Sequence, residues 1–259
     1  MKLITSKDNK IFKIASSLAN KKYRDKLGLY IVEGAKFVDE ACKYNNVKTL
    51  IIDPDFKGRT DYDVDDKVFM MGELFNKLAQ TENSQGILAI VEKELLEREE
   101  FIKSISVDDA NVLVLDRLQD PGNVGTIIRT AEAAGIKDII VVKGNVDIFS
   151  PKVVRSATSS VGRMNFYFAE DEKETLEILQ AANKRVIVTD MDGENCFESK
   201  IGRNTALILG SEGDGVSQTF IDYAQMKVSI PMDGEIESLN VAVAAGILMY
   251  CQRNNKEGF

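Results

Sequence analysis

The positions of apolar residues divide the chain into two regions with different patterns. In the first, apolar residues recur at helical spacing over 9–21 with lysines on the opposite face, which predicts an amphipathic helix. The pattern next predicts a strand at 30–32, a helix at 34–44, and strands at 47–52 and 87–91. These elements indicate a small α/β domain over 1–93.

The second region alternates regularly between strand and helix patterns. The run at 111–115 is continuously apolar, as parallel strands are when helices cover both faces of their sheet. Further strands are predicted at 139–142, 186–188, 207–209 and 228–230, and helices at 123–134, 151–160, 173–183 and 240–252. This order predicts a parallel sheet in a second α/β domain over 109–259. The glutamate- and lysine-rich stretch 94–108 is predicted to be a linker or short helix.

Composition excludes several classes of site. The 259 residues are 44% hydrophobic and include no histidine, which excludes Ser-His-Asp triads, Cys-His pairs and zinc sites that use histidine. The three cysteines form no CxxC pair, so the sequence predicts no metal site. Sparse cysteines, a start without a signal-type apolar core and the lack of a long apolar run predict a soluble cytoplasmic protein without a membrane span.

Charge is distributed unevenly. The net charge of −8 argues against a polyanionic partner, but residues 1–36 contain nine basic and three acidic side chains. Local positive fields decide phosphate contact, so this segment is a candidate nucleic-acid-binding surface. A solvated helix face is the alternative interpretation of the same lysines.

Three loops follow predicted strands at the edge where α/β sheets bind ligands. They cover 116–125, with Arg129 further along the next helix, 209–217 with three glycines, and 230–240 before the last helix. Taken singly, each has an ordinary interpretation as a helix cap or a tight turn. The glycines fit neither GxGxxG nor a P-loop, so the sequence does not support a phosphate cradle of either kind.

Together, the three loops resemble the motifs of the SpoU/TrmH family of S-adenosylmethionine-dependent RNA ribose 2′-O-methyltransferases. The matching segments are Asn123-Val124-Gly125 with Arg129, Gly210 to Gly215, and Ile230-Pro231-Met232 with Ser238-Leu239-Asn240. Lys22-Tyr23-Arg24, Glu33-Gly34 and Gln85-Gly86-Ile87 resemble the family's N-terminal substrate-binding domain. The resemblance implies a C-terminal SPOUT domain with a trefoil knot, and a homodimer.

The resemblance also implies roles for individual residues. S-adenosylmethionine is expected at Leu209, Gly210, Gly213, Ile230, Met232, Ser238 and Leu239. The expected catalytic residues are Asn123, Arg129, Glu212, Ser238 and Asn240, with Arg129 stabilising a developing alkoxide and Glu212 accepting a proton or orienting Arg129. RNA is expected to contact Lys7, Lys10, Lys22, Arg24 and Arg155.

The substrate is left open between two RNA classes. A two-domain chain of this kind favours large-subunit ribosomal RNA, and transfer RNA is the alternative. A methylation-inactive RNA-binding protein with the same fold is a second alternative. A nucleotide-dependent oxidoreductase is remote because no GxGxxG follows a strand, and a simple binding module does not explain why all three motifs occur together.

Overall fold

The structure, a computed structural model, describes residues 2–236 and 238–254, with only the backbone of 253 and 254. The strands are β1 Lys2–Ile4, β2 Leu29–Glu33, β3 Val47–Ile52, β4 Asp66–Met70, β5 Ile87–Glu92, β6 Val112–Leu115, β7 Asp138–Val142, β8 Asn165–Ala169, β9 Arg185–Asn195, β10 Thr205–Leu209 and β11 Met226–Ser229. The α-helices are α1 Lys10–Ser17, α2 Lys21–Leu27, α3 Ala35–Tyr44, α4 Gly72–Leu78, α5 Arg98–Ile105, α6 Pro121–Ala134, α7 Pro151–Ser156, α8 Glu172–Ala181, α9 Gln218–Tyr223 and α10 Val241–Asn254.

The chain forms two compact units. The N-terminal unit contains the residues up to Glu94 together with Asp147–Arg163, and the C-terminal unit contains Leu95–Val146 and the residues from Met164 onward. The spatial division is therefore not a single cut in the sequence. The segment 147–163, which the sequence pattern placed within the domain 109–259, packs with the N-terminal elements.

The N-terminal unit contains a mixed five-stranded sheet in the order β1-β4-β3-β5-β2, in which β5 runs antiparallel to both of its neighbours. The predicted strands at 30–32, 47–52 and 87–91 are confirmed. The predicted helix over 9–21 is wrong in its extent, because α1 ends at Ser17 and α2 begins at Lys21. Asn20 causes the restart: its side chain accepts a hydrogen bond from the Lys22 backbone N–H and caps α2.

The segment 147–163 joins the N-terminal unit through side chains that are distant in sequence. Phe149 is buried with its ring centroid 5.1 Å from that of Tyr30, and the Asn45 amide donates to the carbonyl of Gly162. No local sequence pattern encodes such contacts, so the sequence alone does not indicate that 147–163 packs with the N-terminal unit.

The C-terminal unit contains an all-parallel six-stranded sheet in the order β11-β9-β10-β6-β7-β8. The predicted α/β class is confirmed, whereas the trefoil knot implied by the resemblance stays a prediction. The stretch 94–108, predicted to be a linker or short helix, contains the helix α5, whose Phe101 and Ile105 are wholly buried in the core of this unit.

Parallel strands place the loops that follow them at one edge of the sheet. The neighbours β10, β6 and β7 therefore present the segments after Leu209, Leu115 and Val142 side by side. On the same unit, α10 packs against α6, with Gly246 facing the methyl group of Thr130. No helix within 2–236 or 238–254 has the length and apolar character needed to cross a bilayer.

Candidate active site

Asn123 lies in the first turn of α6, but it does not cap the helix. Asp120 is the cap: its carboxylate accepts a hydrogen bond from the Asn123 backbone N–H at 2.7 Å, and Pro121 occupies the first helical position. The Asn123 side chain is thereby left for another partner. Its Nδ2 donates to Oε1 of Glu212 at 2.5 Å.

Asn240 connects the third loop to the same pair of residues. Its Oδ1 accepts from the Ala242 backbone N–H at 3.0 Å, so Asn240 caps α10, as the sequence allowed. Its Nδ2 donates to Oδ1 of Asn123 at 3.0 Å and to Oε1 of Glu212 at 3.3 Å. One residue from each motif thus meets in an amide–carboxylate network of Asn123, Glu212 and Asn240.

The glycine loop, residues 210–215, carries Glu212 in a closed turn. Ser211 and Gly215 exchange two backbone hydrogen bonds, at 3.1 and 3.0 Å. A Cβ added to Gly210 would lie 2.2 Å from the backbone of Gly215, a separation that atoms cannot adopt. Glycine at 210 therefore allows the two arms of the loop to approach each other.

A cavity of about 510 Å³ opens beside this network at the carboxyl edge of the sheet. Its lining includes Arg117, Gln119, Asn123, Lys143, Ser211, Glu212 and Asp214. The volume falls in the range of small-molecule and nucleotide pockets, and side chains of both charges face it. The cavity can therefore hold a polar ligand with anionic and neutral parts.

Arg129 is not brought to the network by its own helix. It lies six residues after Asn123 in α6, which places it about 240° around the helix axis. Its side chain is exposed, and it is not among the residues that line the cavity. Ser238 is also exposed and takes no part in the network contacts. Of the five expected catalytic residues, the structure brings together Asn123, Glu212 and Asn240.

The residues expected to hold the cofactor lie in the segments after β10 and β11 and just before α10. Leu209 and Gly210 are buried and Gly213 is exposed. Ile230 and Leu239 are half-buried, and Met232 is 39% exposed. A Cβ at Gly213 would meet nothing within 4 Å, so open space adjoins this part of the loop. Apolar side chains, backbone groups and open space suit a purine ring, so these residues fit S-adenosylmethionine.

The predicted RNA contacts divide into exposed and buried residues. Lys7, Lys10, Lys22 and Arg155 are exposed in the N-terminal unit. The prediction for Arg24 is corrected by the structure, because Arg24 is 4% exposed and its guanidinium is bound by internal acceptors. Four hydrogen bonds to internal acceptors and burial leave this guanidinium unable to reach a phosphate group at the surface.

Lys77 is a surface cation that the sequence pattern did not single out. It lies on α4, which packs against α1, and the close approach of the Lys7 amino group lowers the pKa of Lys77. Three residues further along, the carbonyl of Gln80 accepts a hydrogen bond from Nη1 of Arg155 at 3.4 Å. Lys7, Lys77 and Arg155 therefore surround the carboxyl end of α4, although they are far apart in sequence.

Three cavity residues, Arg117, Gln119 and Lys143, were also missed as site candidates. Arg117 and Gln119 lie in the first loop that the motif analysis quoted, and Lys143 directly follows β7. Their position just after adjacent parallel strands is the signal that could have identified them. Strand order, which the sequence does not reveal, was needed to place the end of β7 beside that of β6.

Known proteins with similar sequence and fold support one assignment. The profile of the SpoU rRNA methylase family matches residues 110–250, and that of the MRM3-like substrate binding domain matches residues 9–89. The 23S rRNA (guanosine(2553)-2′-O)-methyltransferase RlmP of Bacillus subtilis is 34% identical over 258 residues, which cover 96% of this chain and 98% of that protein.

Solved structures agree over almost the whole chain. The AdoMet-bound rRNA methyltransferase from Sinorhizobium meliloti superposes with a TM-score of 0.86 at 28% identity, covering 99% of both chains. The SpoU methyltransferase AviRb from Streptomyces viridochromogenes, in complex with AdoMet, gives a TM-score of 0.85 at 26% identity, covering 96% of this chain and 98% of its own. With the three motif loops joined in one network, these matches show that the chain belongs to the SpoU rRNA methylase family.

Proposed function

We propose that this protein, by its family an RNA ribose 2′-O-methyltransferase, acts on large-subunit ribosomal RNA. The observation that supports the activity is the network of Asn123, Glu212 and Asn240. This network unites the three motif loops beside a cavity of about 510 Å³, a volume in the range of small-molecule pockets. The choice of ribosomal RNA rests on relatives named as 23S rRNA methyltransferases from Bacillus subtilis and Neisseria meningitidis. Transfer RNA is the alternative substrate.

The methyl donor is S-adenosylmethionine, for which Leu209, Gly210, Gly213, Ile230, Met232, Ser238 and Leu239 form the proposed binding segments. When bound, it supplies an electrophilic methyl carbon: the C–O bond forms as the C–S bond breaks, and the electron pair stays on sulfur. The protein must exclude water, orient the ribose and remove the hydroxyl proton. Binding in the segments 209–213 and 230–239 fits the exposed and half-buried apolar side chains there.

Glu212 is the residue we assign to the hydroxyl proton. A ribose hydroxyl is a weak nucleophile near neutral pH and needs a nearby acceptor for its proton. The amides of Asn123 and Asn240 both bond to Oε1 of Glu212, which fixes the carboxylate and leaves Oε2 to accept. The two amides thus orient Glu212 as the general base. Ser238 is proposed to position the ribose from the adjoining loop.

Arg129 is proposed to reach the site of a second copy in a homodimer. Its side chain is exposed on α6, and α10 packs against another part of the same helix. Val243 and Tyr250, seven residues apart on α10, are 53% and 40% exposed and form an apolar surface that a partner can cover. A guanidinium stays protonated, so across the interface Arg129 would stabilise the developing alkoxide or grip a phosphate group.

The N-terminal unit is proposed to hold the RNA. Lys7, Lys77 and Arg155 around α4 provide a local positive surface on an otherwise acidic protein, and Lys10 and Lys22 add exposed charge nearby in sequence. Only RNA carries the 2′-hydroxyl that the reaction requires. A cytoplasmic location, expected from the sparse cysteines, is part of the same proposal.

The deciding experiment measures tritiated methyl transfer from S-adenosylmethionine to separated RNA fractions from cells that lack the protein. We expect label in large-subunit ribosomal RNA, in an alkali-resistant dinucleotide that marks ribose methylation. Arg129→Lys should lose most of the rate, whereas Arg98→Lys, an exposed arginine paired with Glu177 on another helix, should not. Label in transfer RNA would overturn the substrate. No label in any RNA would overturn the activity and favour the inactive RNA-binding protein.

The dimer can be tested in the same assay. Mixing Arg129→Ala and Glu212→Gln chains should restore transfer, because one of the mixed sites then has both residues intact. Two inactive variants that stay inactive together, although sedimentation shows that they associate, would contradict a shared site.

A further inference from the structure

A second set of contacts, separate from the amide–carboxylate network, holds the far end of the glycine loop. Asp116 directly follows β6, and its side chain is wholly buried. Its Oδ2 accepts from the backbone N–H and the hydroxyl of Ser217, at 2.7 and 2.6 Å. A buried carboxylate needs such partners, because an unpaired one would be strongly unfavourable.

Arg117 extends this contact to the loop itself. Its Nε donates to Oδ1 of Asp116 at 3.0 Å, and its Nη2 lies 3.4 Å from the carbonyl of Gly215. The backbone of Arg117 has a φ of 60°, a conformation that non-glycine residues adopt only where surrounding contacts fix it. The hydrogen bond to Asp116 raises the pKa of Arg117, so the side chain remains charged.

These contacts determine where Glu212 lies. Gly215 forms hydrogen bonds with the backbone of Ser211 through both its N–H and its carbonyl, and Gly210 packs against the backbone of Gly215. Glu212 lies inside this closed turn, between Ser211 and Gly215, so contacts that fix Gly215 and Ser217 also fix the position of Glu212. A displaced turn would separate Oε1 of Glu212 from the two amides that orient it.

We propose that Asp116 and Arg117 are positioning residues, which anchor the glycine loop so that Glu212 meets Asn123 and Asn240. The inference rests on the proposed function, since it assigns a role in that reaction. Arg117 lines the cavity, whereas Asp116 is not among the lining residues. A substitution of Asp116 therefore tests whether the glycine loop is held in place, without changing a side chain that lines the cavity.

The first variant is Asp116→Asn, which keeps the shape but places an amide NH₂ against donors. We expect kcat for methyl transfer to fall about 100-fold, the loss that a small misplacement of a reacting group produces. KM for RNA should stay the same, since the proposed RNA surface is on the N-terminal unit. The matched control is Asp138→Asn, another buried carboxylate of the same sheet, which accepts from Ser104 and Asn165 at the amino end of β7. It should keep the wild-type kcat.

A double-mutant cycle distinguishes positioning from general damage. If Asp116 acts through Glu212, then Asp116→Asn combined with Glu212→Gln should be no slower than Glu212→Gln alone. Losses that multiply would overturn the proposal. Ser217→Ala serves if Asp116→Asn does not fold. It removes the contacts of the Ser217 hydroxyl with Asp116 at 2.6 Å and with Glu172 at 3.1 Å, but keeps the backbone N–H bond to Asp116. We expect about a tenfold fall in kcat and the same lack of additivity.

Hydrogen exchange of the segment 210–218 gives a readout that does not depend on activity. Faster exchange in Asp116→Asn, but not in Asp138→Asn, is the expected result, and unchanged exchange would overturn the anchor. A wild-type chain that transfers no methyl group to any RNA would overturn the proposed function instead, because exchange still decides whether Asp116 holds the loop.

Discussion

Arg24 and Asp147, 123 residues apart in the sequence, form an ion pair inside the N-terminal unit. Nη2 and Nε of Arg24 lie 2.5 and 2.9 Å from Oδ2 of Asp147, and the two side chains are only 5% and 10% exposed. Nη1 donates to the carbonyls of Leu18 and Ala19, at the end of α1. One guanidinium thus satisfies helix-end carbonyls and ties the segment 147–163 to its neighbours.

Removing one partner of this pair should destabilise the protein strongly. Arg24→Ala leaves the Asp147 carboxylate buried without its cation, and we expect unfolding to require about 3–5 kcal/mol less free energy, measured in urea. The control is Lys13→Ala, whose partner Asp8 is 91% exposed, for which about 0–1 kcal/mol is expected. Equal losses in the two variants would show that the Arg24 pair contributes no more than a surface contact.

Gly210→Ala should disrupt the site through backbone packing alone. The new Cβ would lie 2.2 Å from the carbonyl carbon of Gly215, so the closed turn must open. We expect S-adenosylmethionine binding to weaken at least about tenfold, the effect of a loss near 1.4 kcal/mol, in a calorimetric titration.

The matched control for that variant is Gly246→Ala in α10. A Cβ there meets only the Thr130 methyl group at 3.7 Å, which is ordinary contact, and alanine is the better helix former. The control should bind the cofactor as well as the wild type does. Equal binding by Gly210→Ala would mean that the turn adapts to a side chain and does not shape the site.

Elements with a strong local pattern were predictable from the sequence. The continuously apolar β6 and the alternation around it gave the parallel sheet, since two-sided burial is encoded in each strand. The strands β1, β4 and β8 were missed, because each is three to five residues long and none is the wholly apolar run that identifies β6.

The candidate site was predictable where a motif names a residue, but not where a side chain finds its partner. The resemblance identified Asn123, Glu212 and Asn240, which the structure joins. It placed Arg24 on an RNA surface because basic residues surround it in sequence, whereas burial against Asp147 depends on a contact across the fold. Arg129 was expected to act in the same site as Asn123, yet helix geometry turns it to another face of α6.

The stability of the C-terminal unit should depend on pH through Tyr167. Burial and a hydrogen bond from its hydroxyl to Glu174, at 2.5 Å, raise the pKa of Tyr167 to about 12. The folded state therefore favours the neutral phenol. This stabilisation is fully present below about pH 10, the unfolded value, and is lost as the pH rises toward 12.

Comparison with Tyr167→Phe isolates that contribution, because lysines titrate equally in both proteins. The wild type should be the more stable of the two at pH 8, and its advantage should shrink steadily between pH 10 and 12 in urea unfolding. An advantage that is constant over this range would mean that the phenol titrates with an ordinary pKa in the folded protein.

RNA binding should depend on Lys7 and Lys77 and should respond to salt. Reversing both charges in Lys7→Glu with Lys77→Glu removes two cations from the surface around α4, and RNA affinity should fall at low ionic strength. If each lysine neutralises one phosphate, the slope of log affinity against log salt should decrease by roughly 0.7–0.9 per residue. Lys43→Glu is the control, because that lysine is already paired with Asp39 at 2.7 Å. A double variant with an unchanged slope would place the RNA on another surface. Because the net charge of the protein is −8, that surface would have to be another locally basic region that can bind the phosphate groups.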